Sequence, residues 1–345
     1  MKKWLLYGAN GYSGRLIAEQ SKKLGIFPVL AGRSPSVQAL AMKLGLEYRV
    51  FGLDNINEAA EYLEECELVL NCAGPFSATA MPILDACLKA KVHYLDITGE
   101  IDVFEAVFAR DAELKKAGVT AVPGVGFDVV PSDCLAALLK HRMPGARRLH
   151  LGMKTESLTS PGTTRTMIES LHKGNRVRFE GKLVAAPHGK LTRKIKFKDH
   201  EESCVAIPWG DVSTAYYSTG IPEIAVFTAM PPLMGYVARW LGMATEIAPV
   251  RRLLMTALGK MAKGPDEQEF QDGKTLLWGE VTDGVGKTLE LRLVTPNGYK
   301  HTVDAALACV KRVLESPSTL SAGALTPSMA FGADFVLSLP DVKLT

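Results

Sequence analysis

The chain has 345 residues, of which 47% are hydrophobic and 22% charged, so it is long enough for two domains and apolar enough to bury substantial cores. The formal net charge of +3 is too small to place this protein among the strongly basic chains for which nucleic acid is the default partner. The six cysteines form no C-x-x-C pair and lie mostly in apolar runs, which favours reduced thiols. We therefore expect a globular protein of a reducing compartment, with no metal site and no nucleic-acid partner.

In the first half, short β-rich runs alternate with amphipathic helical patterns, from a strand ending at Tyr7 to a helix at Asp102 to Lys116 and a strand at Val119 to Val122. Such alternation is typical of a parallel sheet covered by helices on both faces. The N-terminus enters its first strand without the apolar region of a signal peptide, which favours a cytoplasmic location. We predict an α/β fold, with a Rossmann-type doubly wound parallel sheet, over residues 1–130.

After a helix starting near Ser132 the pattern changes to strand-like segments of alternating polarity. The predicted strands are Arg147 to Met153, Arg176 to Leu183, Leu191 to Phe197, Thr275 to Val281 and Thr288 to Val294. The predicted helices are Thr163 to Lys173, Leu233 to Met243, Val250 to Lys263 and Val303 to Glu315. We predict a second α+β domain with a mainly antiparallel sheet over 131–322, for substrate binding and dimerisation, and a segment, 323–345, that packs back on the first domain. A homodimer through an edge of this sheet stays open.

Residues 224–247 are mostly apolar but are interrupted by two prolines, Arg239 and Glu246. Because a spanning helix needs about 20 apolar residues with few charges, the pattern favours a core helix or a substrate lid over a transmembrane segment. A peripheral membrane contact through 224–263 stays open.

Residues 8–14 read Gly-Ala-Asn-Gly-Tyr-Ser-Gly and lie between a predicted strand and helix, which is the context of dinucleotide-binding turns. Gly8 allows the tight turn, Gly11 lets the backbone approach a pyrophosphate, and Gly14 allows close packing. The helix N-terminus supplies N–H groups for the phosphates. The other residues predicted to bind cofactor here are Asn10, Tyr12 and Ser13. The alternative is a glycine-rich turn without a ligand.

The end of the second predicted strand reads Ala31-Gly32-Arg33-Ser34, where an NAD site carries Asp or Glu. Arg33 can form an ion pair with a 2′-phosphate and stack on the adenine, and Ser34 can donate a hydrogen bond to a phosphate oxygen. The sequence therefore favours NADP(H) over NAD(H). The alternative is a solvated loop arginine.

Two further loops follow predicted strands at the carboxyl edge of the sheet, where open α/β sheets bind ligands. The first would pass the adenosine half of the cofactor with Cys72, Ala73, Gly74 and Pro75. The second would bring Thr98 and Gly99 toward the nicotinamide. Each loop is also compatible with a plain turn.

These motifs make the chain similar to the saccharopine dehydrogenase-like reductase family, including its trans-acting enoyl reductase branch. The similarity is carried by Gly8 to Gly14, Ala31 to Arg33, Asn71 to Phe76, His93 to Glu100, Gly124 to Asp128, Pro131 to Asp133, Ser160 to Arg165 and Gly323 to Gly332. The resemblance implies a Rossmann domain and a substrate domain whose sheet lines the active-site cleft, with NADP(H) between them. It also implies that the turn containing Phe127 lies beside the nicotinamide.

Hydride transfer depends above all on positioning the substrate against the nicotinamide. Where a proton is also needed, the candidate catalytic residues are Asp128, Glu100 and Tyr94, with Asp96 as a further acid. Helix capping is the alternative role for Asp128, and also for Ser132 and Asp133.

Basic residues crowd the segment 172–198, and methionines recur from Met230 to Met261. The basic run is either a solvated strand face or an attractant for an anionic handle such as a coenzyme A or acyl-carrier phosphate. The methionines fill a core or line an adaptable apolar wall. The leading hypothesis is an NADPH-dependent reductase of a conjugated C=C or C=N bond in a small or lipid-like substrate.

Two alternatives to this hypothesis stay open. One is a saccharopine-type amino-acid or imine dehydrogenase, in which Arg165 or Arg176 binds a substrate carboxylate. The other is a non-catalytic protein that senses NADP(H).

Overall fold

The structure is a computed structural model that describes residues 3–155, 174–187, 189–230, 266–316 and 320–345, together with residues 240, 245, 247, 249–250, 253–254 and 256. Two compact units divide the chain. The first comprises Met1–Val130 with His301–Gly332, and the second comprises Pro131–Lys300 with Ala333–Thr345.

The first unit contains a parallel sheet of seven strands within the described ranges, in the order β15-β6-β5-β4-β1-β2-β3. The strands are β1 Lys3–Tyr7, β2 Val29–Gly32, β3 Tyr48–Val50, β4 Cys66–Asn71, β5 His93–Asp96, β6 Thr120–Val122 and β15 Gly323–Ala324. Central residues such as Leu5, Leu6 and Leu70 are 0% exposed, as expected for a sheet covered on both faces.

Helices connect these strands and cover the sheet. They are α1 Tyr12–Lys23, α2 Ser36–Leu44, α3 Ile56–Glu61, α4 Phe76–Ala90, α5 Ile101–Ala109, α6 Asp111–Ala117, α10 Gly298–Glu315 and α11 Pro327–Phe331. α2 and α6 each end at a glycine in the left-handed region, Gly45 with φ 67° and Gly118 with φ 71°. The predicted Rossmann-type parallel sheet is confirmed.

The second unit is built on a mixed sheet, ordered β10-β11-β12-β7-β13-β14-β16 with β8 and β9 branching from β12. The strands are β7 Ala146–Thr155, β8 Asn175–Phe179, β9 Lys182–Ala186, β10 Thr192–Lys196, β11 Glu201–Ile207, β12 Glu223–Ala229, β13 Lys274–Asp283, β14 Thr288–Pro296 and β16 Lys343–Leu344. Among the described strands of this second sheet only β12 and β7 pair in parallel, so the predicted mainly antiparallel sheet is confirmed.

Helices of this unit are α7 Val130–Arg142, α8 Asp211–Thr219 and α9 Glu267–Asp272, with a 3₁₀ helix at Phe335–Ser338. α7 packs on β13 at Gly279, where a Cβ would lie 2.6 Å from Leu139 Cδ1. On the opposite face, Ile195, Phe197 and Trp278 form part of a buried apolar cluster.

Two hydrogen bonds, one buried and one partly buried, join α7 to α8. Ser132 Oγ donates to Asp211 Oδ2 at 2.7 Å, and Ser218 Oγ donates to Asp133 Oδ1 at 2.6 Å. Ser132 and Asp133, for which capping was considered, thus link two helices.

The unit boundaries differ from the predicted domain boundaries at the C-terminal end. Residues 301–322 belong to the first unit instead of the second, and 333–345 belong to the second unit. In the segment predicted to pack on the first domain, Gly323–Ala324 pairs with β6 but Lys343–Leu344 pairs with β14 of the other sheet. Helical periodicity predicts that a helix forms but not which sheet it covers, and a strand of two residues has no detectable pattern.

Three predicted elements differ in the structure. The helix predicted at Asp102 to Lys116 is two helices, because the Arg110 N–H bonds Val107 O, three residues back, and breaks the α-helical pattern. The strand predicted at Arg176 to Leu183 is the β8–β9 hairpin, turning at Glu180 and Gly181, both with positive φ. Residues 223–229 of the apolar stretch form β12, where a core helix or lid was predicted.

The part that forms β12 is rich in residues that favour strands, and the helix was predicted there only because the apolar stretch is long. The rest of it, and the predicted helices at Thr163 to Lys173, Leu233 to Met243 and Val250 to Lys263, lie outside the described residues apart from isolated positions. The motif Ser160 to Arg165 also lies outside them. No helix in the described ranges is both long and apolar enough to cross a membrane.

Candidate functional site: a dinucleotide-binding edge

The glycine-rich turn between β1 and α1 depends on missing side chains. Gly8 has φ +78°, and a Cβ there would lie 2.6 Å from Ala73 N in the loop after β4. A Cβ on Gly14 would overlap the Gly8 carbonyl oxygen. The Gly8 and Ala9 N–H groups both donate to Ala31 O, at 2.8 and 3.2 Å, which fixes the turn against the end of β2. The turn therefore brings three strand ends together.

The N-terminus of α1 is suited to an anion. The helix begins at Tyr12 after Gly11, has no side-chain cap, and carries no acidic residue in its first turn, which includes Ser13. An uncapped helix N-terminus presents N–H donors and a partial positive charge to phosphate groups. This is the arrangement that a pyrophosphate requires.

Beyond β2, polar side chains gather where a 2′-phosphate would lie. Asn10 Nδ2 donates to Ser36 Oγ at 2.9 Å, and the hydroxyls of Ser34 and Ser36 lie 3.0 Å apart. The Arg33 side chain is exposed beside them. No Asp or Glu follows β2 within residues 31–36, so nothing there would repel a phosphate. These residues fit NADP(H).

The loop after β4 is held by Asn71. Its Oδ1 accepts from Ala73 N at 3.0 Å, and its Nδ2 donates to Thr79 Oγ1 at 3.3 Å. The backbone of Cys72 and Ala73 thereby passes the glycine turn. That the loop from Cys72 to Pro75 lies along the adenosine half of the cofactor stays a prediction. Cys72 lies in this loop, and burial raises the pKa of its thiol, so it is not a thiolate at neutral pH.

At the end of β5, Asp96 organises two neighbouring loops. It is 0% exposed and accepts hydrogen bonds from Tyr94 Oη at 2.7 Å, Thr98 N at 2.9 Å and Gly124 N at 2.8 Å. Burial raises the pKa of Asp96 to about 6, although these hydrogen bonds oppose the shift. Tyr94 is equally buried, so the structure gives this predicted proton donor an internal role.

Glu100 and Thr98 are also engaged within the protein. The Glu100 carboxylate accepts from Phe76 N through Oε1 and from Ser77 N through Oε2, each at 2.9 Å. It therefore caps the N-terminus of α4 across 24 residues of sequence. Thr98 is 0% exposed, and its Oγ1 accepts from Glu100 N, so its side chain does not reach outward as predicted. Glu100 is thus a capping residue in this structure.

Asp128 differs from Asp96 and Glu100 in the hydrogen bonding of its carboxyl group. Its Oδ1 is buried and has no hydrogen-bond partner among the described residues. The side chain lies against the loop after β5, since a Cβ on Gly99 would lie 2.6 Å from Asp128 Oδ2. Burial raises the pKa of Asp128 to about 7, so close to neutral pH the carboxyl group carries a proton for part of the time. Capping was the alternative considered for Asp128, but Oδ1 makes no such contact.

Two residues of α10 contact the turn that carries Asp128, and no sequence pattern predicted this contribution. Phe127 N donates to Thr302 Oγ1 at 3.0 Å, and the ring of Phe127 meets the ring of His301 edge-on with centroids 6.2 Å apart. Both contacts join positions about 175 residues apart in the chain. No metal-binding cluster of His, Cys, Asp or Glu was found in the described part of the chain.

Comparisons with known proteins agree with this site. Residues 4–122 match the sequence model of the family "Saccharopine dehydrogenase NADP binding domain". The chain is 27% identical to the saccharopine dehydrogenase-like oxidoreductase of Bos taurus over 162 residues, covering 41% of this chain and 38% of the relative. It is 32% identical to the trans-acting enoyl reductase of Mycobacterium ulcerans over 145 residues, covering 37% of this chain and 33% of the relative.

The fold is similar to that of apo saccharopine dehydrogenase (L-Glu forming) from Saccharomyces cerevisiae, with TM-score 0.63, 12% identity and full coverage of both chains. The sequence matches span well under half of the curated relatives' length. Within this chain, the family match ends at the last residue of β6, so it covers the glycine turn and the loops after β2, β4 and β5. Residues 4–122 are therefore similar to the NADP-binding domain of the saccharopine dehydrogenase family.

Proposed function

We propose that the protein is an NADPH-dependent reductase that transfers hydride to a conjugated C=C (enoyl) or C=N bond, with Asp128 as the proton donor. The observation that carries this proposal is the buried Oδ1 of Asp128, which has no hydrogen-bond partner in the described part of the chain and lies in the unit that also holds the dinucleotide-binding turn. A carboxyl group with its pKa raised to about 7 holds a proton at the pH where it is needed.

The residues around the glycine turn hold and orient the cofactor. The N-terminus of α1 binds the pyrophosphate, and Arg33 with Ser34 binds the 2′-phosphate. NADPH supplies the hydride when it is bound. The backbone of Gly99 and the turn at Phe127 then position the reacting groups, which is the main contribution of a protein to hydride transfer.

Asp128 completes the addition to the double bond. In an enoyl substrate the hydride forms the new C–H bond at the β-carbon, and the Asp128 carboxyl gives its proton to the α-carbon. In an imine the hydride goes to carbon and the proton to nitrogen. Either way one double bond is reduced, the carboxylate is left ionised, and it takes up a proton from solvent before the next turnover.

The described part of the basic segment supports an anionic handle on the substrate. Lys182, Lys190, Lys194 and Lys196 are exposed, whereas Arg178 and Arg193 turn inward. Arg178 Nε donates to Val212 O at 2.9 Å, and Arg193 Nη2 lies 2.6 Å from Glu280 Oε2. The exposed lysines are available to steer a phosphate-bearing substrate, whereas the two arginines stabilise the second unit. Lys173, His172 and His188 lie outside the described residues.

The proposal is tested by following NADPH oxidation with a short-chain enoyl thioester, a cyclic imine and a simple ketone. We expect turnover with the enoyl thioester or the imine, and a loss of about 100-fold or more in Asp128→Asn. The matched control is Asp199→Asn, at an exposed aspartate between β10 and β11, which should retain full activity. NADPH binding without oxidation by any substrate would instead support the sensing alternative and contradict the proposal.

A further inference from the structure

The turn that carries Asp128 is held from α10, a helix far along the chain. Phe127 N donates to Thr302 Oγ1 at 3.0 Å. A Cβ on Gly126 would lie 3.0 Å from Thr302 Cγ2 and 3.4 Å from Ile97 Cβ. Thr302 therefore contacts the turn twice, once by a hydrogen bond and once by packing against the glycine.

The neighbouring residue of α10 reinforces this attachment. His301 is 0% exposed, and its ring meets that of Phe127 at an interplanar angle of 89°. Burial lowers the pKa of His301 to about 3, so the imidazole is neutral and packs as an aromatic ring. The backbone of Phe127 is thus fixed by Thr302 and its side chain by His301.

The position of the Asp128 carboxyl group depends on this fixation. Among the residues that the structure describes, none forms a hydrogen bond with Asp128 Oδ1, whereas each carboxylate oxygen of Asp96 and Glu100 is bonded. Its location is therefore set by the backbone of the turn together with the packing of the side chain against Gly99. From outside the turn, the backbone is held at its start by the hydrogen bond from Val125 N to Asp96 O at 2.7 Å, and next to Asp128 by the hydrogen bond from Phe127 N to Thr302.

We propose that Thr302 is a positioning residue for the reaction: its hydroxyl group anchors the Phe127 N–H and thereby sets where the Asp128 carboxyl group meets the substrate. This inference rests on the proposed function, because it assigns Asp128 the proton. The relevant property of Thr302 is its acceptor oxygen, so serine preserves the role and valine, which has the same shape, removes it.

The experiment compares Thr302→Val and Thr302→Ser with Thr120→Val. Thr120 is the matched control, since it is buried in the same unit and its Oγ1 donates to Ser321 O at 3.1 Å, away from the turn. The measured quantities are the Kd for NADPH, kcat against pH, and the melting temperature. A merely structural role would change the melting temperature alone.

We expect Thr302→Val to lower kcat at least about tenfold, since a small displacement of a catalytic group is costly. The alkaline limb of its pH profile should shift down by about half a pH unit or more, because a loosened turn admits water to Asp128. Thr302→Ser should stay within about threefold of wild type. Thr120→Val should lower the melting temperature by about as much as Thr302→Val does, but it should keep the wild-type kcat and the wild-type pH midpoint.

Wild-type kcat and pH midpoint in Thr302→Val would overturn the inference, as would an equal loss in Thr302→Ser. If Thr302→Val does not fold, Thr302→Ala removes the same acceptor without crowding, and the same outcomes apply. Failure of the proposed function is separately visible, because Asp128→Asn would then retain activity. In that case a carboxyl ¹³C titration of Asp128 in wild type and Thr302→Val still decides, since an unchanged titration midpoint contradicts positioning by Thr302.

Discussion

At the end of β5, Asp96 is fully buried and accepts hydrogen bonds from Tyr94, Thr98 and Gly124, whereas in the turn after β6 the Oδ1 of Asp128 is buried with no partner among the described residues. Both carboxyl groups lie in loops that follow adjacent strands of one sheet. Burial raises both pKa values, to about 6 and about 7. The difference lies in the partners: the hydrogen bonds of Asp96 stabilise the loops, and the unsatisfied Oδ1 of Asp128 is the basis of its proposed role toward a ligand.

The largest expected effect is on stability at Asp96. Asp96→Ala leaves the Tyr94 hydroxyl and two backbone N–H groups without their acceptor, so we expect the free energy of unfolding to fall by about 3 kcal/mol. Urea denaturation followed by circular dichroism measures this. A loss below about 1 kcal/mol would mean that Asp96 does not organise these loops.

The second prediction concerns Arg33, which follows β2 and, unlike Asp96, has an exposed side chain that a ligand can reach. Arg33→Asp should raise the Kd for NADPH about 30-fold or more, because a carboxylate repels the 2′-phosphate, and should change that for NADH less than about threefold. Lys43→Asp, at an exposed lysine of α2, is the control for the charge change. Fluorescence titration measures both constants. Equal effects on the two cofactors would contradict the assignment of Arg33.

The third prediction concerns the pH dependence of stability in Asp128→Asn compared with the wild type. Because the pKa of Asp128 is raised to about 7 in the folded protein, folding favours the protonated form. The wild type therefore loses stability relative to the variant as pH rises from about 4 to about 7, and the difference is constant above that range. We expect Asp128→Asn to be about 1.5 kcal/mol more stable at pH 8, after allowance for the partial exposure of the residue. A difference independent of pH would contradict the raised pKa.

Glu100 should show the smallest effect. Glu100→Gln keeps one acceptor for the N-terminus of α4 and loses the charge, so the free energy of unfolding should fall by about 1 kcal/mol. The pH profile of the reaction should keep its alkaline limb. If that limb disappears in this variant, Glu100 takes part in the proton transfer and the contrast with Asp128 fails.

Sequence patterns predicted the parts of the site that depend on local chemistry. Gly14 is required by contacts within a short turn and Gly8 by its positive φ there, and the missing acid beyond β2 is visible in the sequence. The roles of Tyr94 and Glu100 were not predictable, because an acid or phenol in a motif looks the same whether it faces a ligand or a helix N-terminus. Thr302 was missed since the contact it makes, with Phe127, joins distant parts of the chain.

The fold was predictable to a similar extent. The alternation of strands and helices in the first half predicted the parallel sheet, because each connection there is local. β12 was predicted as part of a helix, since an apolar run buried on both sides has no period to distinguish the two. The placement of α10 in the first unit depends on packing that the sequence alone does not record.

The central claim is that Asp128 delivers the proton in an NADPH-dependent reduction. The most direct test is the pH dependence of kcat/KM for wild type and Asp128→Asn with whichever enoyl or imine substrate is turned over. We expect the wild-type kcat/KM to fall above about pH 7 as the carboxyl group ionises, and the variant to be about 100-fold or more slower and to lack this alkaline limb. A variant with the wild-type rate and the wild-type limb would contradict it.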